Sequence, residues 1–408
     1  MPSTTRRTAL WVLALVAGLG FVVVAFVRAP DGGDDDAADL DVDSSTPAPG
    51  QPDDPGEGCG PGSLTDHRDL DASRVVARCA PGAPAARPLA DAAAIRVAVT
   101  RRTEAAAPLL VAEQLGEFAA EGLDVGIVDQ PAPEAFASLA AGEVDVVVGP
   151  VDSPFFDAAD DGTEARLVLG GSLSTAPGDT EVPQAGLWFR SDLLSRSERW
   201  DDLANMPVAL VGGMRSAATY PVSTVFDQGG LTLNQVDLVD ASDDEATTAL
   251  LDREVAAAWL DQPAAWSRVA DADGYELAVT LPASESIDGM VMSQRLLDDD
   301  RDVGLAYARA VIRTINTHLT GDYHDDEDVV AALAEATGTS ADDLSATPAL
   351  LFDWELRAGT TDRLQDAMIE LGSVAYERPL PEDVLVDRSL ALDAIGPAPG
   401  TDAQDLRG

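Results

Sequence analysis

Short apolar runs alternate with helix-like patterns through much of the chain. The runs at residues 95–100 (IRVAVT) and 144–149 (VDVVVG) are almost continuously apolar, as buried strands are. In the segments between the runs, apolar residues recur at helical spacing, as in residues 108–120. The predicted strands are residues 95–100, 123–128, 144–149, 184–189, 208–211, 236–240 and 255–260, and the predicted helices are residues 108–120, 133–141, 216–228, 303–319, 329–336 and 361–371.

The order of these elements predicts a two-lobed α/β fold. Strands that alternate with helices through short connections form right-handed crossovers and mostly parallel sheets. The chain becomes helical after residue 301, and late helices of this kind often pack back on the first lobe. We therefore predict a first lobe from residues 95–183 and 283–395, a second lobe from residues 184–282, and a disordered tail at 396–408.

The N-terminal region predicts export. Arg6 and Arg7 precede an uncharged apolar run at residues 9–27, and an acidic stretch follows Arg28. The run is longer than a secretory signal core of about 7–15 residues and approaches the length of a spanning helix. Positive charge before the run places the N-terminus inside and the rest outside. Residues 1–28 are thus predicted to be a membrane anchor, with a cleaved signal segment as the alternative.

A linker, predicted at residues 29–94, follows the apolar run. It is rich in Asp, Pro and Gly and is predicted to be a disordered spacer around a cysteine-bounded segment. Cys59 and Cys79 are the only cysteines of the chain. Outside the cytoplasm such a pair favours a disulfide worth about 3 kcal/mol, and two unpaired thiols are the alternative.

Charge and composition exclude several functions. The chain has 408 residues, with 72 acidic and 26 basic side chains, and its formal charge is −46. This charge disfavours nucleic acid as a partner. All basic residues are Arg, so the chain has neither a P-loop lysine nor a lysine for a Schiff base with pyridoxal phosphate. We find no metal-ligand spacing and no Gly-x-Ser-x-Gly motif. We therefore predict that the protein is not an enzyme and has no cofactor and no metal, with a metal site or a hydrolase as a remote alternative.

Four segments in sequence order resemble a known family. They are residues 108–128 (PLLVAEQLGEFAAEGLDVGIV), 138–149 (SLAAGEVDVVVG), 201–220 (DDLANMPVALVGGMRSAATY) and 254–265 (EVAAAWLDQPAA). Together they resemble blocks of the solute-binding proteins of the nitrate, sulfonate, taurine and thiamine-precursor type, across about residues 95–390. Two features depart from the family pattern. Ala256 stands where an acidic residue is common, and no lipoprotein cysteine follows the apolar run.

The resemblance implies a fold and a function. The implied fold is the two-lobed periplasmic-binding-protein fold of type II. The implied protein is an extracytoplasmic monomer that captures a small anionic or polar organic ligand for the permease and ATPase of an ABC importer. A membrane-anchored ligand sensor on the same fold is the alternative, and an enzyme on this scaffold is a remote one.

The loops that follow the predicted strands supply the candidate site. Ligands of open α/β sheets gather at the carboxyl ends of strands. Trp259 is predicted to stack on or cover the ligand, and the arginines to bind either an anion or neighbouring carboxylates. The candidate ligand-binding residues are Arg101, Arg102, Thr103, Val151, Asp152, Met214, Arg215, Ser216, Ala217, Trp259 and Asp261.

The loop at residues 212–218 gives the most specific prediction. Gly212 and Gly213 permit close approach of the backbone, and Ser216 is predicted to cap the next helix. The backbone N–H groups of Ser216, Ala217 and Ala218 would then hold an anionic ligand group. The resemblance implies the same site, since anion-binding members hold their ligand at this loop. A helix start without a ligand is the alternative.

Overall fold

The computed structural model describes residues 83–173, 185–194, 203–279 and 286–396. The strands are β1 Ala93–Val99, β2 Leu123–Asp129, β3 Val146–Pro150, β4 Ala165–Gly170, β5 Ser172–Leu173, β6 Gly186–Arg190, β7 Pro207–Leu210, β8 Asp237–Asp240, β9 Ala257–Leu260, β10 Tyr275–Val279, β11 Asp288–Ser293 and β12 Leu351–Phe352. The helices are α1 Ala107–Gln114, α2 Glu117–Ala120, α3 Ala132–Ala140, α4 Ser153–Asp160, α5 Ser191–Leu194, α6 Thr219–Gln228, α7 Asp243–Leu251, α8 Pro263–Ala270, α9 Arg301–Thr317, α10 Glu327–Thr337, α11 Ala341–Ser345, α12 Thr360–Leu371, α13 Glu382–Leu385 and α14 Ser389–Ile395.

The strands form two five-stranded sheets and one short ladder. The first sheet has the order β2-β1-β3-β11-β4, the second has the order β10-β6-β9-β7-β8, and β12 pairs with β5. In the first sheet β1 is parallel to β2 and β3, while β11 is antiparallel to β3 and β4. In the second sheet β7 is parallel to β8 and β9, while β6 is antiparallel to β9 and β10. The α/β prediction is confirmed, but the sheets are mixed and not mostly parallel in their pairing: in each sheet one strand runs against the other four, so two of the four strand pairs are antiparallel.

The antiparallel strands are the ones that follow each passage between the sheets. β6 is the first strand after the chain leaves the first sheet, and β11 is the first strand after it returns. A strand that enters from the facing sheet starts at the edge where the other strands end. The first residue of β11 therefore lies beside the carboxyl ends of β1, β3 and β4.

One predicted helix is two helices in the structure. The helix predicted at residues 108–120 is interrupted at Gly116, whose φ of 76° lies in the left-handed region that glycine adopts without strain. α1 ends just before this turn, and α2 restarts just after it. The break directs Phe118 of α2 against Tyr307 of α9, and the two rings stack with centroids 5.2 Å apart.

The apolar core has a continuous cluster that spans both sheets. Val147 of β3 and Phe155 of α4 belong to the same buried cluster as Leu187 of β6 and Phe226 of α6. A separate cluster under the first sheet contains Tyr307, and another lies on the far side of the second sheet. The two sheets are thus joined by buried apolar contact as well as by the polar groups described below.

The segment before β1 is part of the folded structure. Glu121 is fully buried and receives Arg309 at 2.8 Å and Arg313 at 2.7 Å. The backbone N–H of Arg87 donates to the same carboxylate at 3.2 Å, and Arg313 donates to the carbonyl of Pro84 at 3.2 Å. Pro84 and Arg87, which belong to the predicted linker, therefore make polar contacts with the folded part of the chain.

Several predictions lie outside the described residues. They are the anchor at residues 1–28, the first part of the linker, the pair Cys59 and Cys79, and the tail apart from its first residue. Within the part of the chain that the structure describes, no helix has the length and apolar character needed to cross a bilayer.

Candidate functional site

Arg101 lies where the carboxyl ends of the two sheets face each other. It follows β1, and its guanidinium meets Asp261, which follows β9, with Nη1–Oδ2 and Nη2–Oδ1 distances of 2.8 and 3.0 Å. Its Nη2 also donates to Asp243 at the start of α7, at 2.7 Å. The Arg101 side chain is 18% exposed. One cation of the first sheet therefore binds two carboxylates of the second.

The surroundings of Arg101 set the charge states of its partners. Burial alone would lower the pKa of Arg101, but Asp261 and Asp243 outweigh it and raise that pKa above the usual value. For the carboxyl of Asp261 the directions are reversed: burial alone would raise its pKa, but the charge and hydrogen bonds of Arg101 outweigh burial and lower that pKa. Burial and the charge of Asp261 raise the pKa of Asp243. The strongest ion pair is thus the bidentate one between Arg101 and Asp261.

A second connection runs from Asp152 to the loop after β7. Oδ1 of Asp152 accepts the backbone N–H of Ala217 at 2.7 Å. Burial raises the pKa of this carboxyl to about 6. Nearby, Arg215 forms an ion pair with Asp157 at 2.7 Å, and its carbonyl accepts the hydroxyl of Ser153 at 3.2 Å. The loop at residues 212–218 is therefore held against α4 of the first sheet.

The predicted role of this loop as an anion site is not supported by its contacts. α6 begins at Thr219, and Ser216 does not cap it. The N–H of Ser216 donates to the Gly213 carbonyl at 3.2 Å, and that of Ala218 donates to the Ser216 hydroxyl at 3.2 Å. The N–H of Ala217 is taken by Asp152. All three predicted anion donors thus have a protein partner: two bind acceptors within the loop, and the Ala217 N–H binds a carboxylate of the facing loop.

A small pocket lies beside Arg101 on the side of the first sheet. The residues of its wall include Arg101, Thr103, Gly149, Gly170 and Asp288. The hydroxyl oxygen of Thr103 is buried and has no hydrogen-bond partner among the described residues. The pocket thus combines a carboxyl, a guanidinium and a hydroxyl with an otherwise apolar wall.

Asp288 is a site residue that sequence reasoning missed. It is the first residue of the antiparallel strand β11, so it reaches the edge where the parallel strands end. The hydroxyl of Ser172 donates to its Oδ2. Burial, and then the charge of Asp261, raise the pKa of Asp288 to about 7. The rule that ligands lie at carboxyl ends overlooks a residue that begins an antiparallel strand.

The remaining predicted residues differ in their position. Arg102 forms an ion pair with Asp129 at 2.7 Å and is not part of the pocket wall. Met214 is 45% exposed, whereas Val151 and Trp259 are both 3% exposed and belong to the cluster that spans the sheets. The indole nitrogen of Trp259 has no hydrogen-bond partner within the described ranges. We call the space between the facing carboxyl ends of the two sheets the cleft. The predicted residues that contact each other across the cleft or line the pocket beside it are Arg101, Thr103, Asp152, Ala217 and Asp261.

The helical turn behind the pocket is held by a buried polar network. Glu104, next to Thr103, accepts a hydrogen bond from the hydroxyl of Tyr323 and lies 2.9 Å from Nε2 of His324. Nδ1 of His324 lies 2.8 Å from the Thr347 carbonyl. Burial would lower the pKa of His324, but Glu104 outweighs it and raises that pKa. These contacts fix the turn that carries Thr103.

No group of three or more His, Cys, Asp or Glu side chains that could hold a metal ion is found in the described part of the chain.

The structure of this chain is similar to solved structures of known proteins, whereas its sequence matches no known family. No protein-family model matches the sequence, and no curated protein matches it significantly. The aliphatic sulphonate binding protein SsuA from Escherichia coli aligns with a TM-score of 0.52 and 16% identity, over 72% of this chain and 92% of SsuA. The nitrate-binding protein NrtA from Synechocystis PCC 6803 aligns with a TM-score of 0.54 and 12% identity, over 74% of this chain and 88% of NrtA.

A third similar structure is a ligand-binding component of an ABC-type import system. It comes from Staphylococcus aureus and aligns with a TM-score of 0.50 and 12% identity, over 73% of this chain and 97% of the other. These identities are too low to transfer a ligand, but the alignments cover nearly the whole of each relative. The chain therefore has the fold of the periplasmic solute-binding proteins.

Proposed function

We propose that this protein is an extracytoplasmic solute-binding protein of the two-lobed type II form. In this proposal two lobes close around a small polar molecule. The first lobe is formed by residues 95–183 and 283–395, and the second by residues 184–282. The fold supports the proposal, and so does the passage of the chain from the first sheet to the second and back. The protein acts by binding and performs no reaction on its ligand.

The bridge from Arg101 to Asp261 and Asp243 is the observation that carries the proposal. Each of these residues follows the carboxyl end of a strand, which is where open α/β sheets bind ligands. An ion pair between two lobes forms only when the lobes approach, so it stabilises the closed form over the open one. A ligand that contacts both lobes shifts the same equilibrium. Arg101 thus serves as a closure residue at the rim of the binding pocket.

The partners follow from the same proposal. The similar protein from Staphylococcus aureus is named as a component of an ABC-type import system, and the other two as binders of sulphonate and nitrate. We infer that this protein, as a monomer, delivers its ligand to the permease and ATPase of such an importer. Residues 1–28 would hold it at the outer face of the membrane.

A screen of purified full-length protein against small solutes tests the proposal. The screen covers organic cations, organic and inorganic anions, neutral amino acids and sugars, and it records the unfolding midpoint. A solute that binds only the folded state raises stability by about 2.7 kcal/mol at 100 times its dissociation constant. We expect at least one solute to give a concentration-dependent rise that Arg101→Gln weakens and Arg102→Gln leaves intact. The absence of any such solute would contradict the proposal.

A further inference from the structure

We propose that the pocket beside Arg101 selects a small organic cation that carries N–H donors, such as a primary ammonium or an amidinium group, and holds it against Asp288 and Thr103. This inference rests on the proposed function and replaces the anionic ligand that the sequence suggested.

The balance of charge around the cleft favours a cation. Four carboxyl groups, those of Asp152, Asp243, Asp261 and Asp288, surround the guanidinium of Arg101. Arg101 already binds Asp261 with two hydrogen bonds and Asp243 with one. An anion would have to displace one of these carboxylates from Arg101 and would then lie beside the others. A cation would instead lower the repulsion among them.

Asp288 is the carboxyl group placed to receive the cation. It lines the pocket, whereas Asp243 and Asp261 face Arg101 and Asp152 faces the N–H of Ala217. The hydrogen bond to Oδ2 of Asp288 comes from the neutral hydroxyl of Ser172. Burial first, and then the charge of Asp261, raise the pKa of Asp288 to about 7, although the charge of Arg101 lowers it. A ligand ammonium beside Asp288 would favour the ionised carboxylate and form a charge-assisted hydrogen bond.

Thr103 supplies the second, independent indication of a ligand. Thr103 lines the pocket, and its hydroxyl oxygen is buried and has no partner among the described residues. A buried hydroxyl without a partner is costly, and a donor on a ligand would satisfy it. The hydroxyl oxygen accepts an N–H, which a quaternary ammonium cannot offer. The pocket is therefore expected to prefer ammonium and amidinium groups over quaternary cations.

Calorimetry on the full-length protein tests this selection. The probes are ethanolamine, putrescine and agmatine as N–H cations, tetramethylammonium as a cation without N–H, and methanesulfonate and nitrate as anions. We expect at least one N–H cation to bind, and to bind more tightly than tetramethylammonium or either anion. Replacing Asp288 by Asn keeps the shape and removes the charge, and it should weaken that binding about 10- to 100-fold. Asp129→Asn, the same change outside the pocket, should leave the binding constant unchanged.

Each outcome has one meaning. Binding of an N–H cation that weakens in Asp288→Asn and persists in Asp129→Asn supports the inference. Binding of the anions without the N–H cations overturns it, and so does cation binding that is equal in Asp288→Asn and the wild type. In both of these cases the proposed function still stands if the bound solute also depends on Arg101. If no solute of any class binds, the inference and the proposed function both fail.

Discussion

The guanidinium of Arg101 and the carboxylate of Asp261 lie face to face across the two sheets, joined by hydrogen bonds of 2.8 and 3.0 Å. The two residues are 160 positions apart in the sequence. Planar bidentate pairs of this kind are both stronger and more directional than a single ion pair. The contact fixes the distance between the first and the second sheet at the edge where the pocket lies.

Replacing Arg101 by Gln should destabilise the protein. The change leaves Asp261 and Asp243 close together without a cation, so the free energy of unfolding should fall by about 3 kcal/mol. Urea denaturation measures this loss. Arg102→Gln is the matched control, because it breaks the partly exposed pair with Asp129, which is worth about 0–1 kcal/mol. Equal losses in the two variants would show that the bridge between the sheets contributes no more to stability than a partly exposed ion pair does.

Replacing Asp288 by Asn should stabilise the ligand-free protein, and increasingly so as the pH rises. Folding raises the pKa of Asp288 from 3.8 to about 7, so between these values the folded protein holds a proton that the unfolded chain has released. Each pKa unit corresponds to about 1.4 kcal/mol, and the contribution of the wild-type residue to stability therefore falls from about pH 4 to about pH 7.

Urea titrations of wild type and Asp288→Asn at several pH values measure this effect. The difference between the two proteins isolates Asp288 from the other titrating groups, whose contributions cancel. It should be small near pH 4 and grow in favour of Asn up to about pH 7, where it levels off. A difference that does not vary with pH would mean that Asp288 ionises normally in the folded protein.

Replacing Glu121 by Gln should lower the free energy of unfolding, because Glu121 joins the segment before β1 to α9. Glu121 is fully buried beside Arg309 and Arg313. Removal of its charge leaves Arg309 buried without a carboxylate partner, at a cost of about 3 kcal/mol, whereas Arg313 keeps its ion pair with Glu117. Chemical denaturation measures the loss. Glu113→Gln, the same change at an exposed position of α1, should stay within about 0.5 kcal/mol of wild type. A variant at Glu121 as stable as the one at Glu113 would contradict the assigned role of this carboxylate.

Salt should stabilise the protein. A formal charge of −46 produces self-repulsion in the compact state, and the Debye length shortens from about 10 Å at 0.1 M to about 3 Å at 1 M. Screening also weakens exposed ion pairs such as Arg102–Asp129, but each of these contributes little. The thermal midpoint should therefore rise as monovalent salt increases to about 1 M. A midpoint that stays level or falls would show that repulsion is not the dominant electrostatic contribution.

The strands and helices with strong periodicity could be predicted from the sequence. β1, β3 and α9 lie close to their predicted positions, because their apolar residues form continuous runs or a clear helical stripe. The predicted strands do not include the two-residue strands β5 and β12, nor β4, β10 and β11. β4 and β10 carry Arg166 and Glu276 within the strand, β11 has polar residues at both ends, and periodicity separates such short segments poorly from loops.

The candidate site could be predicted only in part. Arg101, Asp152 and Asp261 follow apolar strands, so the carboxyl-end rule finds them. Their partners depend on how the two sheets face each other, which no local pattern encodes. The loop after β7 shows this dependence: the sequence predicts that its Ala217 N–H holds a ligand, whereas in the structure this N–H donates to Asp152 of the facing sheet.

Hydrogen exchange at the backbone N–H of Ala217 is the most direct test of closure around a ligand, because this group donates to Asp152 across the cleft. The measurement uses the full-length protein with and without a saturating amount of the solute that stabilises it most. We predict slower exchange of Ala217 with the solute bound, faster exchange in Arg101→Gln without solute, and little change at α14, which lies outside the cleft. Exchange at Ala217 that is the same with and without bound solute would contradict closure of the two lobes on a ligand.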